Sequence, residues 1–181
     1  MSQFGAATGE SIGAAAAPAA ESDPKHNQKM QIASDESMWN IRNHLGGPFG
    51  AVIVCTDTDE VLAVSANSVT TDCDPTAHAE INCIRKACKQ LNRFNLTGYS
   101  IYTSCEPCPM CFGAIYWAHL DHVYYANRKE DAAAIGFDDS FIYDELKVDI
   151  DRRKVRFEHI PNLTAKQAFD VWKQSNDKVS Y

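Results

Sequence analysis

Apolar and small residues recur at helical spacing from Asn27 to Leu45, at Met30, Ala33, Ser37/Met38, Ile41 and Leu45. Residues three and four apart share one face of a helix, so this span is expected to be an amphipathic helix. Gly46-Gly47-Pro48 stops it. The pattern then changes to β-branched runs. Ala51–Cys55 and Val61–Ala66, joined by Thr56-Asp57-Thr58-Asp59-Glu60, predict an antiparallel hairpin. Pro75 opens a helix that carries Ile81, Ile84, Ala87/Cys88 and Leu91 on one face. Tyr99–Thr103 reads as the third strand, Pro107 starts a helix through Trp117, and His122–Ala126 reads as the fourth strand. Ser140–Lys147 is expected to be helical and Val155–Ile160 to be a fifth strand. Thr164 is expected to start a last helix to about Ser175 and cap it with its own hydroxyl.

Strands alternating with helices after an initial hairpin predict an α/β fold. The expectation is a three-layer α/β/α arrangement around a five-stranded mixed sheet, mostly parallel beyond the hairpin. Residues 1–25 are rich in Ala, Gly, Ser and Pro with no period, and are expected to form a disordered tail. Residues 26–181 then make one domain, long enough to bury a real core.

Composition narrows the choice of partners. A net charge of −7 argues against a nucleic-acid partner, because phosphate contacts need a basic face. The densest basic run, Arg152-Arg153-Lys154 with Arg156, reads as a solvated rim. Met1–Ala20 contains no Lys or Arg, and Pro18 breaks its alanine run, so neither a signal peptide nor a transit peptide is expected. No apolar stretch reaches membrane-spanning length, so no membrane partner is expected. Seven cysteines without a secretory signal point to reduced thiols and a cytoplasmic protein.

Two of those cysteines belong to the most informative segment. Thr76-Ala77-His78-Ala79-Glu80 is followed by Ser104-Cys105-Glu106-Pro107-Cys108-Pro109-Met110-Cys111. One imidazole (His78) and two thiolates (Cys105 and Cys108) are expected to hold Zn2+, with Glu80 beside the fourth position. Zinc with three protein ligands leaves a place for water and acidifies it from a pKa of about 15.7 to about 7. The pattern His-x-Glu then Pro-Cys-x-x-Cys is the signature of zinc nucleobase deaminases, with the Glu as acid/base. Both motifs fall where a strand gives way to a helix, so two helix N-termini favour the thiolate charge. The bland alternative is a closed structural zinc site with Cys111 as fourth ligand. Against it stands Glu80, a carboxylate that a structural zinc does not need. A purely redox Cys-x-x-Cys would leave His78 and Glu80 unexplained.

From about Asn27 to Tyr181 the chain resembles the guanine deaminases of the cytidine-deaminase fold. The resemblance rests on Gly46–Val54, Asp74–Glu80, Thr103–Cys111, Gly113–Trp117 and Gly136-Phe137-Asp138-Asp139. The first three segments are shared with tRNA adenosine deaminases, so Gly136–Asp139 and the C-terminal Tyr181 discriminate best. The resemblance implies a homodimer with a swapped C-terminal segment that closes the partner's site. It implies Asn67, Phe49, Ala79 and Trp117 as substrate-binding residues, with Tyr181 arriving from the other subunit and Asp139 as a second catalytic group. It also implies that Cys111 packs beneath the zinc without binding it. Each role has a plainer rival: Asn67 ending its strand, Phe49 and Trp117 as core aromatics, one of Asp138 and Asp139 as a helix cap.

The chemistry expected from the resemblance is hydrolysis of guanine at C2 to xanthine and ammonia, a step in purine metabolism. Activated water attacks, Glu80 shuttles the proton, and Asp139 or Glu80 protonates the departing amine. Three alternatives stand beside it: a guanosine deaminase, a tRNA adenosine deaminase, and a non-catalytic zinc-stabilised interaction module.

Overall fold

The computed structural model describes residues 23–180. The tail expected over residues 1–25 lies outside the described residues up to position 22, as does Tyr181. Helix α1 (Pro24–Arg42) begins with proline where a missing N–H costs nothing, and the Asp23 side chain accepts the Lys25 N–H at 2.9 Å. Its buried stripe is Lys29, Ala33, Ser37 and Asn40, whereas Met38 and Ile41 are largely exposed. The reason is a close approach to the sheet. A Cβ added at Gly50 would lie 2.2 Å from the Ala33 carbonyl oxygen and 2.7 Å from the Ser37 nitrogen, so mainly small side chains fit between helix and strand.

β1 (Gly50–Cys55) and β2 (Val61–Ala66) form the expected antiparallel hairpin. A short helix α2 (Val69–Asp72) and helix α3 (Ala79–Leu91) follow. β3 (Tyr99–Cys105), α4 (Pro109–Trp117), β4 (His122–Asn127), α5 (Lys129–Ala134), α6 (Ser140–Lys147) and α7 (Leu163–Gln174) complete the described chain. The strand order is β2-β1-β3-β4. Alternation along β1 sorts the core into two layers. Val52 and Val54 pack with Ala33 of α1 and Tyr102, while Ala51 and Ile53 pack with Ala79, Cys83 and Ala87 of α3 and Ile115 of α4. Helices thus cover both faces of the sheet.

Three expectations are corrected. The sheet of the described chain has four strands, not five: the hairpin strand β1 pairs antiparallel with β3, and β3 and β4, beyond the hairpin, run parallel. Val155–Ile160 forms no strand, and Val155 and Ile160 are 69% and 78% exposed. A β-branched run becomes a strand only where an edge receives it, and within one chain this run pairs with none. The cap of α7 is Asn162, whose side chain accepts the Ala165 N–H at 3.0 Å, because the capping oxygen must stand outside the helix that already includes Thr164. Neither α6 nor α7 buries a residue. Among the described residues, no helix is long and apolar enough to cross a membrane.

Candidate active site

Five segments converge at one end of the sheet: the loop after α1, the end of β2, the start of α3, the β3–α4 corner and the α5–α6 loop. They enclose a cavity of about 720 Å³ lined by Phe49, Asn67, His78, Glu80, Cys108 and Asp139 among others. His78 is the N-cap of α3 and Cys108 the N-cap of α4. Two helix N-termini therefore bring their unpaired N–H groups and partial positive charge to the same place. Cys111 follows Cys108 by three residues and so shares its face of α4.

The structure groups His78, Cys108 and Cys111, with their donor atoms all within 4.8 Å of one another. Nδ1 of His78 lies 3.5 Å from Cys108 Sγ and 3.6 Å from Cys111 Sγ. Zinc–sulfur and zinc–nitrogen bonds of about 2.3 and 2.05 Å at a tetrahedral angle would separate nitrogen from sulfur by about 3.6 Å. The donor set and spacing therefore fit zinc. This corrects the expected set of His78, Cys105 and Cys108, and it corrects the reading of Cys111 as a bystander. Cys105 ends β3 rather than starting α4, and its Sγ faces the Arg128 carbonyl at 3.7 Å.

Electrostatics separate the thiols in the same way. The Cys108 thiol is pushed down to about 4, chiefly because it accepts from Cys111, with His78 adding to the effect. Cys111 is pushed up by sharing its proton with Cys108 and by burial. His78 is raised, first by Cys108 and also by Glu80 and Asp139. A cluster that crowds thiolate, thiol and imidazole around one shared proton is suited to a divalent cation, which displaces the protons. Cys105, by contrast, is pushed up to about 11 by burial.

Glu80 sits in the first turn of α3 and is 6% exposed. Burial raises its carboxyl above the usual range, the Cys108 charge adds to this, and His78 opposes it. Asp138 and Asp139 both line the cavity but differ in use. The Asp138 carboxylate accepts the Ser140 N–H at 2.9 Å and is lowered by it. Asp139 makes no capping bond from its side chain, and burial with the nearby Cys108 raises it.

The remaining expected residues divide. Asn67 is 6% exposed, and its Oδ1 accepts the N–H groups of Gly47 at 3.2 Å and Val69 at 3.3 Å. Phe49 meets Phe137 edge-on at 5.0 Å, so Phe137 joins the apolar wall, a residue whose place in the site only the fold reveals. Ala79 lies wholly buried in the core beneath α3 rather than on the cavity wall. Trp117, on the far part of α4, lines a different cavity with Ile81, Ile84 and Phe94. Tyr181 lies outside the described residues.

Residues 23–127 match the cytidine and deoxycytidylate deaminase zinc-binding region. The chain is 48% identical to the guanine deaminase of Bacillus subtilis over 156 residues, covering 86% of this chain and 99% of that protein. The X-ray structure of guanine deaminase from Bacillus subtilis superposes with a TM-score of 0.82, covering 86% of this chain and 98% of the other. A crystal structure of NE0047 in complex with 2,6-diaminopurine gives a TM-score of 0.61 at 33% identity, covering 63% and 62%. The tRNA-specific adenosine deaminase of Agrobacterium fabrum is 40% identical over 88 residues, which is 49% of this chain and 57% of that protein. With its histidine and paired cysteines set at zinc-binding distances and its likeness extending past the zinc region, the chain belongs to the zinc-binding cytidine and deoxycytidylate deaminase family, on the guanine deaminase branch.

Proposed function

We propose that this protein hydrolyses guanine to xanthine and ammonia. The observation that carries the reading is the extent of the likeness to guanine deaminase. It spans 156 residues, more than the zinc region at 23–127 can hold, whereas the matches to tRNA-specific adenosine deaminases of Agrobacterium fabrum and Haemophilus influenzae run over 88 and 106 residues. The added length includes room for Gly136–Asp139, which lines the cavity.

His78, Cys108 and Cys111 would hold the metal. Bound there, zinc supplies an acidified water with a pKa of about 7. Glu80, buried and raised, accepts the proton of the attacking water and returns it to a ring nitrogen beside C2. Water adds at C2, the proton of the new C2 hydroxyl passes through Glu80 or Asp139 to the amine, and the C2–amine bond breaks to leave a C2 carbonyl and ammonia. The Phe49–Phe137 pair offers a wall for a flat base. Because an oxygen alone can accept from two N–H groups, Asn67 has its nitrogen left for an acceptor on the substrate.

The active form is read as a homodimer in which the C-terminal segment covers the partner's cavity. Its support is the exposure of Leu163, Phe169, Val171 and Trp172 on α7 and of Phe112, Tyr116 and Trp117 on α4, more apolar surface than a monomer normally carries. Seven unpaired cysteines support a cytoplasmic protein, and the net charge of −7 argues against RNA. A second reading, guanosine, is favoured by the cavity of about 720 Å³, which has room for a ribose before any partner segment enters. Ammonia release by zinc-loaded protein from guanine, guanosine, cytosine, cytidine, adenine and tRNA separates these readings.

A further inference from the structure

We propose that Asn40, which does not line the cavity, is a positioning residue that sets the purine-reading amide of Asn67. The inference rests on Asn67 binding the substrate. Asn40 lies in the last turns of α1 and is 2% exposed. Its Nδ2 donates to the Gly47 carbonyl at 2.9 Å and to the Asn67 carbonyl at 2.8 Å. The two hydrogens of one amide thus bind two segments 20 residues apart in sequence. The Gly47 N–H in turn donates to Asn67 Oδ1 at 3.2 Å. Asn40, Gly47 and Asn67 therefore close a ring of hydrogen bonds in which both ends of Gly47 are held.

The consequence concerns orientation. The Asn67 side chain could turn its oxygen or its nitrogen toward the cavity. With the Gly47 and Val69 N–H groups both aimed at Oδ1, only one orientation satisfies them, and it leaves the nitrogen for substrate. That arrangement requires the Gly46–Gly47 loop to press against Asn67. A Cβ on Gly46 would lie 2.2 Å from the Asn67 carbonyl oxygen and 2.9 Å from Oδ1, which measures how closely the loop is drawn in. Asn40 is the side chain that ties Gly47 and Asn67 together, while the Thr70 and Thr71 hydroxyls hold the loop at the Leu45 carbonyl. Without its two donors, the buried Asn67 carbonyl loses its Asn40 bond, the Gly47 carbonyl keeps only the Phe49 N–H at 2.8 Å, and the tie between the two segments through Asn40 is cut.

The test has two arms, each run on Asn40→Ala and on the gentler Asn40→Ser, so that one variant suffices if the other fails to fold. In the substrate-free zinc protein, amide exchange at Gly47 and Val69 should accelerate by about tenfold or more, while Val52 and Ile53 in the sheet core hold their protection. For guanine turnover, either substitution should lower kcat/KM by about tenfold in the native background, mainly through KM, and by less than about twofold when Asn67 is already alanine. Equal losses in both backgrounds would mean that Asn40 serves stability alone and would overturn the proposal, as would unchanged exchange at Gly47 and Val69. The exchange arm needs no substrate, so it can fail or succeed independently of guanine turnover by the native enzyme.

Discussion

Cys111 Sγ stands 3.6 Å from His78 Nδ1, about the separation that two ligands of one tetrahedral zinc require. Cys105, three residues before Cys108 instead of three after it, spends its thiol on the Arg128 carbonyl. Cys108→Ser and Cys111→Ser should therefore each cut bound zinc from about one per chain to a small fraction, a loss of at least about tenfold in affinity. Cys105→Ser should retain it. Metal analysis of the three purified variants by mass spectrometry checks this directly, and metal loss in Cys105→Ser and Cys108→Ser with retention in Cys111→Ser would restore the other ligand set.

Glu80→Gln should keep the fold and the zinc but lower kcat by about 10²–10⁴-fold, the usual contribution of a general acid/base group. The metal-free proteins give a second readout. Burial raises the Glu80 carboxyl in the folded chain above its unfolded value, so the folded state favours the neutral form. Its stabilising share is fully present below the unfolded pKa and is lost as pH rises through the folded one. Chelated Glu80→Gln should thus equal the chelated native chain in thermal midpoint at acid pH and exceed it increasingly toward neutral pH. A constant difference across that range would show that Glu80 is not held neutral.

The two aspartates should part company. Asp139→Asn should reduce kcat/KM by about 10²-fold if its carboxyl handles the departing amine. Asp138→Asn removes a charge from an exposed bond to the Ser140 N–H and should change kcat/KM by no more than about tenfold. Steady-state kinetics on both variants decides between them.

Gly50→Ala tests the packing of α1. The new methyl would meet the Ala33 oxygen at 2.2 Å and the Ser37 nitrogen at 2.7 Å, both backbone atoms that cannot rotate away. A loss of about 1–3 kcal/mol in denaturant unfolding is expected.

Much of this was legible in the chain because it is local. The hairpin, the apolar face of α3, β4 and the bounds of α6 at Ser140–Lys147 follow from period and turn residues acting over a few positions, although α3 starts at Ala79 rather than at Pro75. The errors arise where spacing is degenerate or the partner is distant. Cys105, Cys108 and Cys111 form two overlapping Cys-x-x-Cys pairs, of which only the pair Cys108 and Cys111 follows a proline as the deaminase signature has it, and the start of α4 after Cys108 turns Cys111 toward His78. Met38 and Ile41 fit the helical period, yet contact with Gly50 selects the small residues next to them. Val155–Ile160 has strand composition, but composition does not say which edge, or whose, will take it. Trp117 and Phe137 exchange places for the same reason: only the folded chain shows which aromatic reaches the cavity.

The measurement that bears most directly on the central claim is xanthine formation from guanine by zinc-loaded protein, followed by absorbance with Glu80→Gln as control. Guanine should be converted with kcat/KM at least about tenfold above that for guanosine, a difference of about 1.4 kcal/mol in transition-state binding, while tRNA remains unchanged. Absence of xanthine from fully zinc-loaded protein, or faster ammonia release from guanosine or tRNA than from guanine, would contradict it.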